Sequence, residues 1–185
     1  MSSLVGICGI YRQDQFSSGV YSVVENLLRG MVQVRESPGE LGDFDLVVFH
    51  GAAGLQWTHP SLKYKQVSGQ GGRYPGETRV GFYDSAGFDC VLFPNFYTPP
   101  VVRSRRVVST IHDLQYLHLP EHWPLGKRIW NRATHAITLR RCDDVIAISQ
   151  AVKDDILTRY GHRWESKVHA VWNPVSIDRL SLIHI

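Results

Sequence analysis

The sequence predicts an α/β fold, in which a doubly wound, Rossmann-like parallel sheet carries helices on its faces. Short runs of β-branched and apolar residues alternate along the chain with longer segments whose apolar residues recur at helical spacing. Alternation of this kind, with short connections, is typical of successive βαβ units. A chain of 185 residues with 43% hydrophobic content can also bury one sizeable core, as such a sheet requires.

The elements can be assigned in chain order from these patterns. Strands are predicted at residues 4–11, 45–50, 88–94, 106–111, 144–149 and 167–172, and helices at residues 19–31, 124–142 and 150–160. Ser17 or Ser18 should cap the first helix, while Ser149 should cap the last helix and Gly161 end it. Residues 51–87 are rich in glycine and polar residues and cannot be assigned securely, with a flexible loop expected at residues 68–72.

The helix at residues 124–142 has two sets of side chains with different expected environments. Its buried face is expected to consist of Ile129, Trp130, Ala133, Ala136 and Ile137. Its other sides carry Lys127, Arg128, Arg132, Arg140 and Arg141. These cations fit either a solvated helix surface or a surface that rests on anionic lipid headgroups.

The strand at residues 106–111 ends in His112 and Asp113, which are the first candidate functional residues. Ligands of an open α/β sheet bind beyond the carboxyl ends of its parallel strands, so a titratable pair there is well placed for chemistry. The alternative is structural, with Asp113 capping a turn and His112 packing against the next helix.

Gly19 follows a predicted strand and a polar loop and opens a helix. This arrangement can present backbone N–H groups to an anion such as a phosphate, although an ordinary turn that needs glycine has the same pattern. A dinucleotide fingerprint is absent, because Gly6 and Gly9 do not form GxGxxG and no acidic residue closes the second strand. A dinucleotide-dependent oxidoreductase is therefore disfavoured.

Composition excludes several other classes. A net charge of +3 with mixed signs does not favour a nucleic-acid-binding protein. The three cysteines and nine histidines lack metal-site or disulfide spacing, so we expect no metal and a reducing compartment. No signal peptide or membrane-spanning run is recognisable. These features predict a cytoplasmic protein.

Three segments together resemble the N-terminal half of family 4 glycosyltransferases, which have the GT-B fold. They are RVVSTIHDLQYLHLPEHW, KRIWNRATHAITLRRCDDVIAISQAVKDDILTRYG and KVHAVWNPVSIDRL. The ordered match is a strand ending in IHD, an aromatic loop with Pro-Glu, a helix, a strand ending in Ile-Ser, a helix beginning AVKDD and a strand ending in Asn-Pro. The resemblance is strong over residues 88–179 and weaker over residues 4–31.

The resemblance implies roles for particular residues. His112 would hydrogen-bond the donor sugar, and Asp113 would orient the imidazole or the loop. Gly19 would lie on the side of the donor diphosphate, although the family usually has more than one glycine at this position. Asn95, Tyr97 and Tyr116 would face the acceptor. Helix ends and basic residues can take the diphosphate charge, so neither a metal nor another cofactor is expected.

The resemblance also implies an activity for the longer protein. Residues 1–179 would form the acceptor-side domain of a retaining enzyme that transfers a hexose, with mannose as the candidate, from a nucleotide sugar. The acceptor would be a glycan or a lipid-linked molecule in polysaccharide or cell-envelope biosynthesis, and membrane contact through Lys127, Arg128 and Arg132 would be peripheral. Residues 180–185, LSLIHI, match the translation of a sequencing adapter and are expected to be non-native.

The activity of this chain alone and two alternative functions remain to be considered. The family's second, donor-binding domain is absent from the sequence, so this chain alone should be inactive. Another GT-B enzyme, such as a nucleotide-sugar epimerase, is one alternative, against which the strand-end motif argues. A non-catalytic sugar-binding module is the other, and a full-length gene without the donor-domain glutamates would favour it.

Overall fold

A computed structural model describes residues 2–10, 19–37, 44–67 and 73–174 of the chain. Within these residues seven parallel strands form one sheet in the order β3-β2-β1-β4-β5-β6-β7. The strands are β1 (Ser3–Cys8), β2 (Phe44–His50), β3 (Lys63–Gln66), β4 (Cys90–Phe93), β5 (Arg106–Ile111), β6 (Asp144–Ala147) and β7 (Val168–Ala170). The helices are α1 (Gly19–Glu36), α2 (Arg73–Arg79), α3 (Gln115–His118), α4 (Leu125–Arg141) and α5 (Gln150–Tyr160). The predicted Rossmann-like fold class is therefore confirmed.

The central β-strands are buried on both faces, and their residues alternate between two apolar clusters. In β2, Val47 and Phe49 join one cluster, and Leu46 and Val48 join the other. The second cluster packs against α1 through residues that include Tyr21, Val24, Leu28 and Val32. The first cluster includes residues of α4 and α5. This period of two across a parallel sheet explains why the strands appear as continuous apolar runs in the sequence.

The strand order reverses between β1 and β4, which are adjacent in the sheet although α1, β2, β3 and α2 lie between them in the sequence. In doubly wound sheets, the crevice beyond the carboxyl ends of such a strand pair is where ligands bind. The segment that could not be assigned from sequence supplies part of this region. It contains β3, α2 and a π-helical turn (Val80–Asp84) that continues α2.

Two predicted helix boundaries are confirmed by specific contacts. The Ser149 hydroxyl accepts a hydrogen bond from the Val152 amide at 3.2 Å and so caps α5. Gly161, with φ +102°, ends the same helix in a conformation that L side chains rarely adopt. The predicted caps Ser17 and Ser18, the loop at residues 68–72 and the tail at residues 180–185 lie outside the described residues.

The predicted buried face of α4 is wrong. Ile129, Trp130 and Ile137 are 59%, 46% and 39% exposed. The buried stripe consists instead of Asn131, Thr134, His135, Thr138 and Leu139. These residues also have helical spacing, and their polar groups are buried at low cost where they find hydrogen-bond partners: the Thr138 hydroxyl, for example, donates to the Phe96 carbonyl at 2.7 Å.

Candidate functional site

The carboxyl ends of β1, β4 and β5 lie side by side and define the candidate site. β4 pairs with β1 on one side and with β5 on the other, so the residues after Phe93 and Ile111 emerge at the same edge of the sheet. His112 immediately follows β5, as the sequence predicts. We refer to this edge, between β1 and β5, as the strand-end crevice.

The His112 ring is half-buried and held in place by the loop after β4. Its Nε2 lies 2.9 Å from the Pro94 carbonyl oxygen. A carbonyl oxygen can only accept, so Nε2 carries the proton and donates this hydrogen bond. Burial lowers the pKa of His112, outweighing the opposite effects of the Pro94 carbonyl and Asp113, and Arg73 lowers it further. The ring is therefore neutral at pH 7, and its Nδ1 is a hydrogen-bond acceptor.

Asp113 contacts the loop rather than the imidazole. Its Oδ1 accepts a hydrogen bond from the Gln115 amide at 3.2 Å, at the start of α3. The Asp113 side chain is exposed. Asp113 was expected to orient either the imidazole or the loop, and its hydrogen bond to the Gln115 amide is a contact with the loop. The imidazole takes its orientation from Pro94.

The residues after β4 form an aromatic cluster with α2 and α4. Tyr97 stacks on Trp130 with ring centroids 6.4 Å apart, and its other neighbour, Tyr74, meets it edge-on at 5.0 Å. The Tyr97 hydroxyl lies 2.9 Å from Thr78 Oγ1. Asn95 is only 2% exposed, and its carbonyl accepts a hydrogen bond from Ser109. Of these two predicted acceptor-side residues, Tyr97 is the one with an accessible face.

Beside this aromatic cluster is a surface cavity of about 620 Å³. Tyr74 of the cluster also lines the cavity, and so does Thr78, the partner of Tyr97. The full lining is Tyr74, Pro75, Thr78, Arg79, Phe82 and Tyr83. A second cavity, of about 420 Å³, lies between α4 and α5. His112 lines neither of these two cavities.

The predicted acceptor role of Tyr116 does not fit its position. The side chain is 2% exposed, and its hydroxyl lies 3.0 Å from His135 Nδ1 and 2.7 Å from the Tyr160 hydroxyl. Burial raises the pKa of Tyr116 and lowers that of His135 to about 4, so both groups are neutral at pH 7. This network joins α3, α4 and α5, and Tyr116 therefore acts in the core rather than at the crevice.

Gly19 is the first residue of α1 and is exposed. Its φ is not positive, and a Cβ built on it would meet no described atom within 4 Å. Neither backbone conformation nor packing against the described residues therefore requires glycine at this position.

Sequence reasoning missed Arg73 and Glu77, which α2 places at the strand-end crevice. Arg73 Nε lies 3.5 Å from Glu77 Oε2, and the Glu77 carboxyl is completely buried. Burial raises the pKa of Glu77 to about 8 against the opposing effect of Arg73. The available signal was an arginine and a glutamate at helical spacing, which carries little information in a segment whose secondary structure could not be assigned.

The described residues contain neither a candidate metal site nor a candidate membrane-spanning helix. In that part of the chain, no group of three or more histidine, cysteine, aspartate or glutamate side chains could hold a metal ion. None of its helices combines the length and apolar character needed to cross a bilayer.

Comparison with known proteins identifies the family. A search of curated proteins found no match to this chain. The sequence model of the family described as Glycosyltransferase Family 4 matches residues 80–179, which is more than half of the 185 residues. The match includes β4 to β7, with His112, Asp113 and the aromatic residues that follow β4. The parallel sheet with its strand-end histidine thus has the architecture of a GT-B glycosyltransferase domain, and the chain belongs to Glycosyltransferase Family 4.

Proposed function

We propose that the chain is the acceptor-side half of a retaining glycosyltransferase that moves a hexose, with mannose as the candidate, from a nucleotide sugar. The acceptor is a glycan or a lipid-linked molecule of polysaccharide or cell-envelope biosynthesis, and the enzyme works in the cytoplasm. Family membership supports glycosyl transfer. The single observation that carries the proposal is the neutral, positioned imidazole of His112 at the end of β5.

His112 acts on the donor sugar as a hydrogen-bond acceptor. With Nε2–H committed to Pro94, Nδ1 is left to accept a hydrogen bond from a sugar hydroxyl. Breaking the bond between the sugar and its phosphate leaves positive charge on the ring. A lone pair fixed beside the sugar stabilises that charge better in the transition state than in the ground state. Asp113 contributes by holding the loop that follows His112.

The acceptor lies along the aromatic cluster of Tyr74, Tyr97 and Trp130. Aromatic faces bind the apolar faces of sugar rings. The adjacent cavity of about 620 Å³ has room for parts of the acceptor beyond the hydroxyl that reacts. Gly19 lies on the donor-phosphate side, where its lack of a side chain leaves the backbone open to an anion. No metal or other cofactor is part of this proposal.

The active site is completed by a second domain that binds most of the donor. Residues 1–179 supply one wall of the site, so this chain alone transfers no sugar. Orienting donor and acceptor against each other requires binding energy from both walls.

Membrane contact is peripheral and uses α4. Leu125 and Ile129 are 67% and 59% exposed, and Trp130 is 46% exposed beside them in sequence. Lys127, Arg128 and Arg132 lie on the same helix. Exposed apolar and aromatic side chains next to cations are the combination that binds an anionic lipid surface.

The full-length enzyme tests the role of His112. His112→Ala should lower kcat by about 10²–10³, because a hydrogen bond that strengthens in the transition state is lost. The unfolding free energy should fall by only about 1 kcal/mol, the value of one backbone contact. His122→Ala, at a side chain that is 70% exposed, is the matched control and should keep wild-type turnover. Wild-type sugar transfer by a folded His112→Ala enzyme would rule out the proposed role.

A further inference from the structure

Arg73 is a largely buried cation whose Nε has no hydrogen-bond partner among the described residues. The side chain is 15% exposed. Its guanidinium carbon lies 4.7 Å from the Tyr74 ring centroid and 5.6 Å from that of Phe96, so aromatic faces cover it. A guanidinium has five N–H donors and no acceptor. Within the described part of the chain, Nε is buried without a hydrogen-bond partner.

Glu77 does not supply the missing partner. The Nε to Oε2 distance of 3.5 Å is an ion-pair contact, too long for a well-formed charge-assisted hydrogen bond. Both Glu77 oxygens are buried and, among the described residues, neither has a hydrogen-bond partner. Because burial raises the pKa of Glu77 to about 8, the carboxyl is mostly protonated at pH 7. Within the described part of the chain, the charge of Arg73 is then left without a counterion.

The charge of Arg73 acts at the strand-end crevice. Phe96, which the guanidinium approaches, belongs to the loop after β4. Gly76, one turn further along α2, packs so tightly on Ile10 after β1 that a Cβ there would lie 3.0 Å from Ile10 Cδ1. α2 is thus fixed across the ends of β1 and β4, where the strand order reverses. The charge also contributes to lowering the pKa of His112 after β5.

We propose that Arg73 is an anion-binding residue that takes a phosphate group in the strand-end crevice between β1 and β4. A planar guanidinium donates two parallel hydrogen bonds to phosphate oxygens, and a bound phosphate would balance the charge of Arg73. Glu77 and the rings of Tyr74 and Phe96 hold the group in position. The identity of the ligand rests on the proposed function, in which the phosphate belongs either to the donor diphosphate or to a phosphorylated acceptor.

Calorimetric titration of the 185-residue chain at pH 7 tests the site without any activity assay. Inorganic pyrophosphate represents the donor diphosphate, and glycerol 1-phosphate represents a phosphorylated acceptor. Arg73→Gln should weaken the binding of at least one probe tenfold or more, and Arg73→Lys should lie between the wild type and Arg73→Gln. Arg105→Gln removes an equal charge from a side chain that is 83% exposed just before the amino end of β5, at the opposite edge of the sheet, and should change affinity less than twofold.

A second pair of variants separates binding from folding. Glutamine at position 77 keeps the shape of the side chain and cannot ionise. The single variant Glu77→Gln and the double variant Arg73→Gln/Glu77→Gln therefore both avoid a buried negative charge, and they can be compared as folded proteins. Phosphate should bind to the first and not to the second. The probe that loses affinity at Arg73 identifies the source of the phosphate.

Two results would overturn the site: equal affinity of the wild type and Arg73→Gln for both probes, or equal losses in Arg73→Gln and Arg105→Gln. Failure of the proposed function gives a different result. Phosphate binding that depends on Arg73, in a full-length enzyme that transfers no sugar, would keep the anion site and reject glycosyl transfer.

Discussion

Replacing Glu77 with glutamine should change how the stability of the chain depends on pH. The Glu77 side chain is fully buried, and burial raises its pKa from 4.5 to about 8, with Arg73 opposing part of this shift. Glutamine has the same shape and cannot ionise. Any pH-dependent difference between the two proteins therefore reports the protonation of Glu77.

The sign follows from the two pKa values. Between about pH 4.5 and 8 the carboxyl holds its proton in the folded chain but loses it on unfolding. Its contribution to stability is full below pH 4.5 and is lost as the pH rises through 8. The slope is about 1.4 kcal/mol per pH unit, so wild type should lose about 2.7 kcal/mol relative to Glu77→Gln between pH 5 and pH 7. Above about pH 8 the difference should level off.

Urea unfolding followed by tryptophan fluorescence at pH 5, 6, 7, 8 and 9 measures this difference. Groups that titrate identically in both proteins, such as His135 with its pKa lowered by burial to about 4, cancel in the comparison. Glu36→Gln, at a side chain that is 57% exposed, is the reference for removing a carboxylate from the surface. A constant difference between wild type and Glu77→Gln across this range would show that Glu77 is ionised in the folded chain, and that our account of Arg73 as an uncompensated cation is incorrect.

Two further predictions concern the donor side and the membrane. Gly19→Ala should change the unfolding free energy by less than about 1 kcal/mol, since a Cβ there meets no described atom, but should raise the KM for the nucleotide sugar in the full-length enzyme; an unchanged KM would remove Gly19 from the donor site. Ile129→Asn should reduce cosedimentation with phosphatidylglycerol vesicles about tenfold, since burying an aliphatic side chain contributes about 1.5–3 kcal/mol. Val34→Asn, at a 40% exposed position on α1, is its control, and equal binding by both variants would argue against contact through α4.

The order of strands and helices could be predicted because each leaves a local pattern in the sequence. Parallel strands such as β2 and β4 are buried on both faces and therefore consist mainly of apolar residues. The pairing of β1 with β4 follows from the general rules of doubly wound sheets. β3 could not be found in this way, because all four of its residues are exposed at the sheet edge and none is aliphatic.

The face of α4 was predicted wrongly because hydrophobicity was used as the measure of burial. Thr138 and His135 are buried with partners far away in the sequence: the Thr138 hydroxyl donates to the Phe96 carbonyl, and His135 Nδ1 lies 3.0 Å from the Tyr116 hydroxyl. No local pattern reveals such partners. The exposed apolar residues of the same helix, by contrast, remain available for the aromatic cluster and for the proposed membrane contact.

Within the strand-end motif, His112 and Tyr116 are only four residues apart but have different environments. His112 lies directly after β5, where the chain has just left the sheet, and its ring remains half-buried at the crevice. Tyr116 lies in α3, whose single turn directs the ring into the core, towards His135 and Tyr160. Family resemblance placed both in the site, since it preserves the order of residues but does not report their orientation.

Arg73, which the sequence did not reveal as a functional residue, helps to explain why the ring of His112 is neutral. His112 can accept a hydrogen bond from a sugar hydroxyl only while its ring is neutral. Burial lowers its pKa, and the charge of Arg73 lowers it further. A cation that attracts phosphate into the strand-end crevice therefore also disfavours a second cation there. On our proposals, α2 would supply phosphate binding and help to keep His112 neutral through one side chain, Arg73, which lies 39 positions before His112 in the sequence.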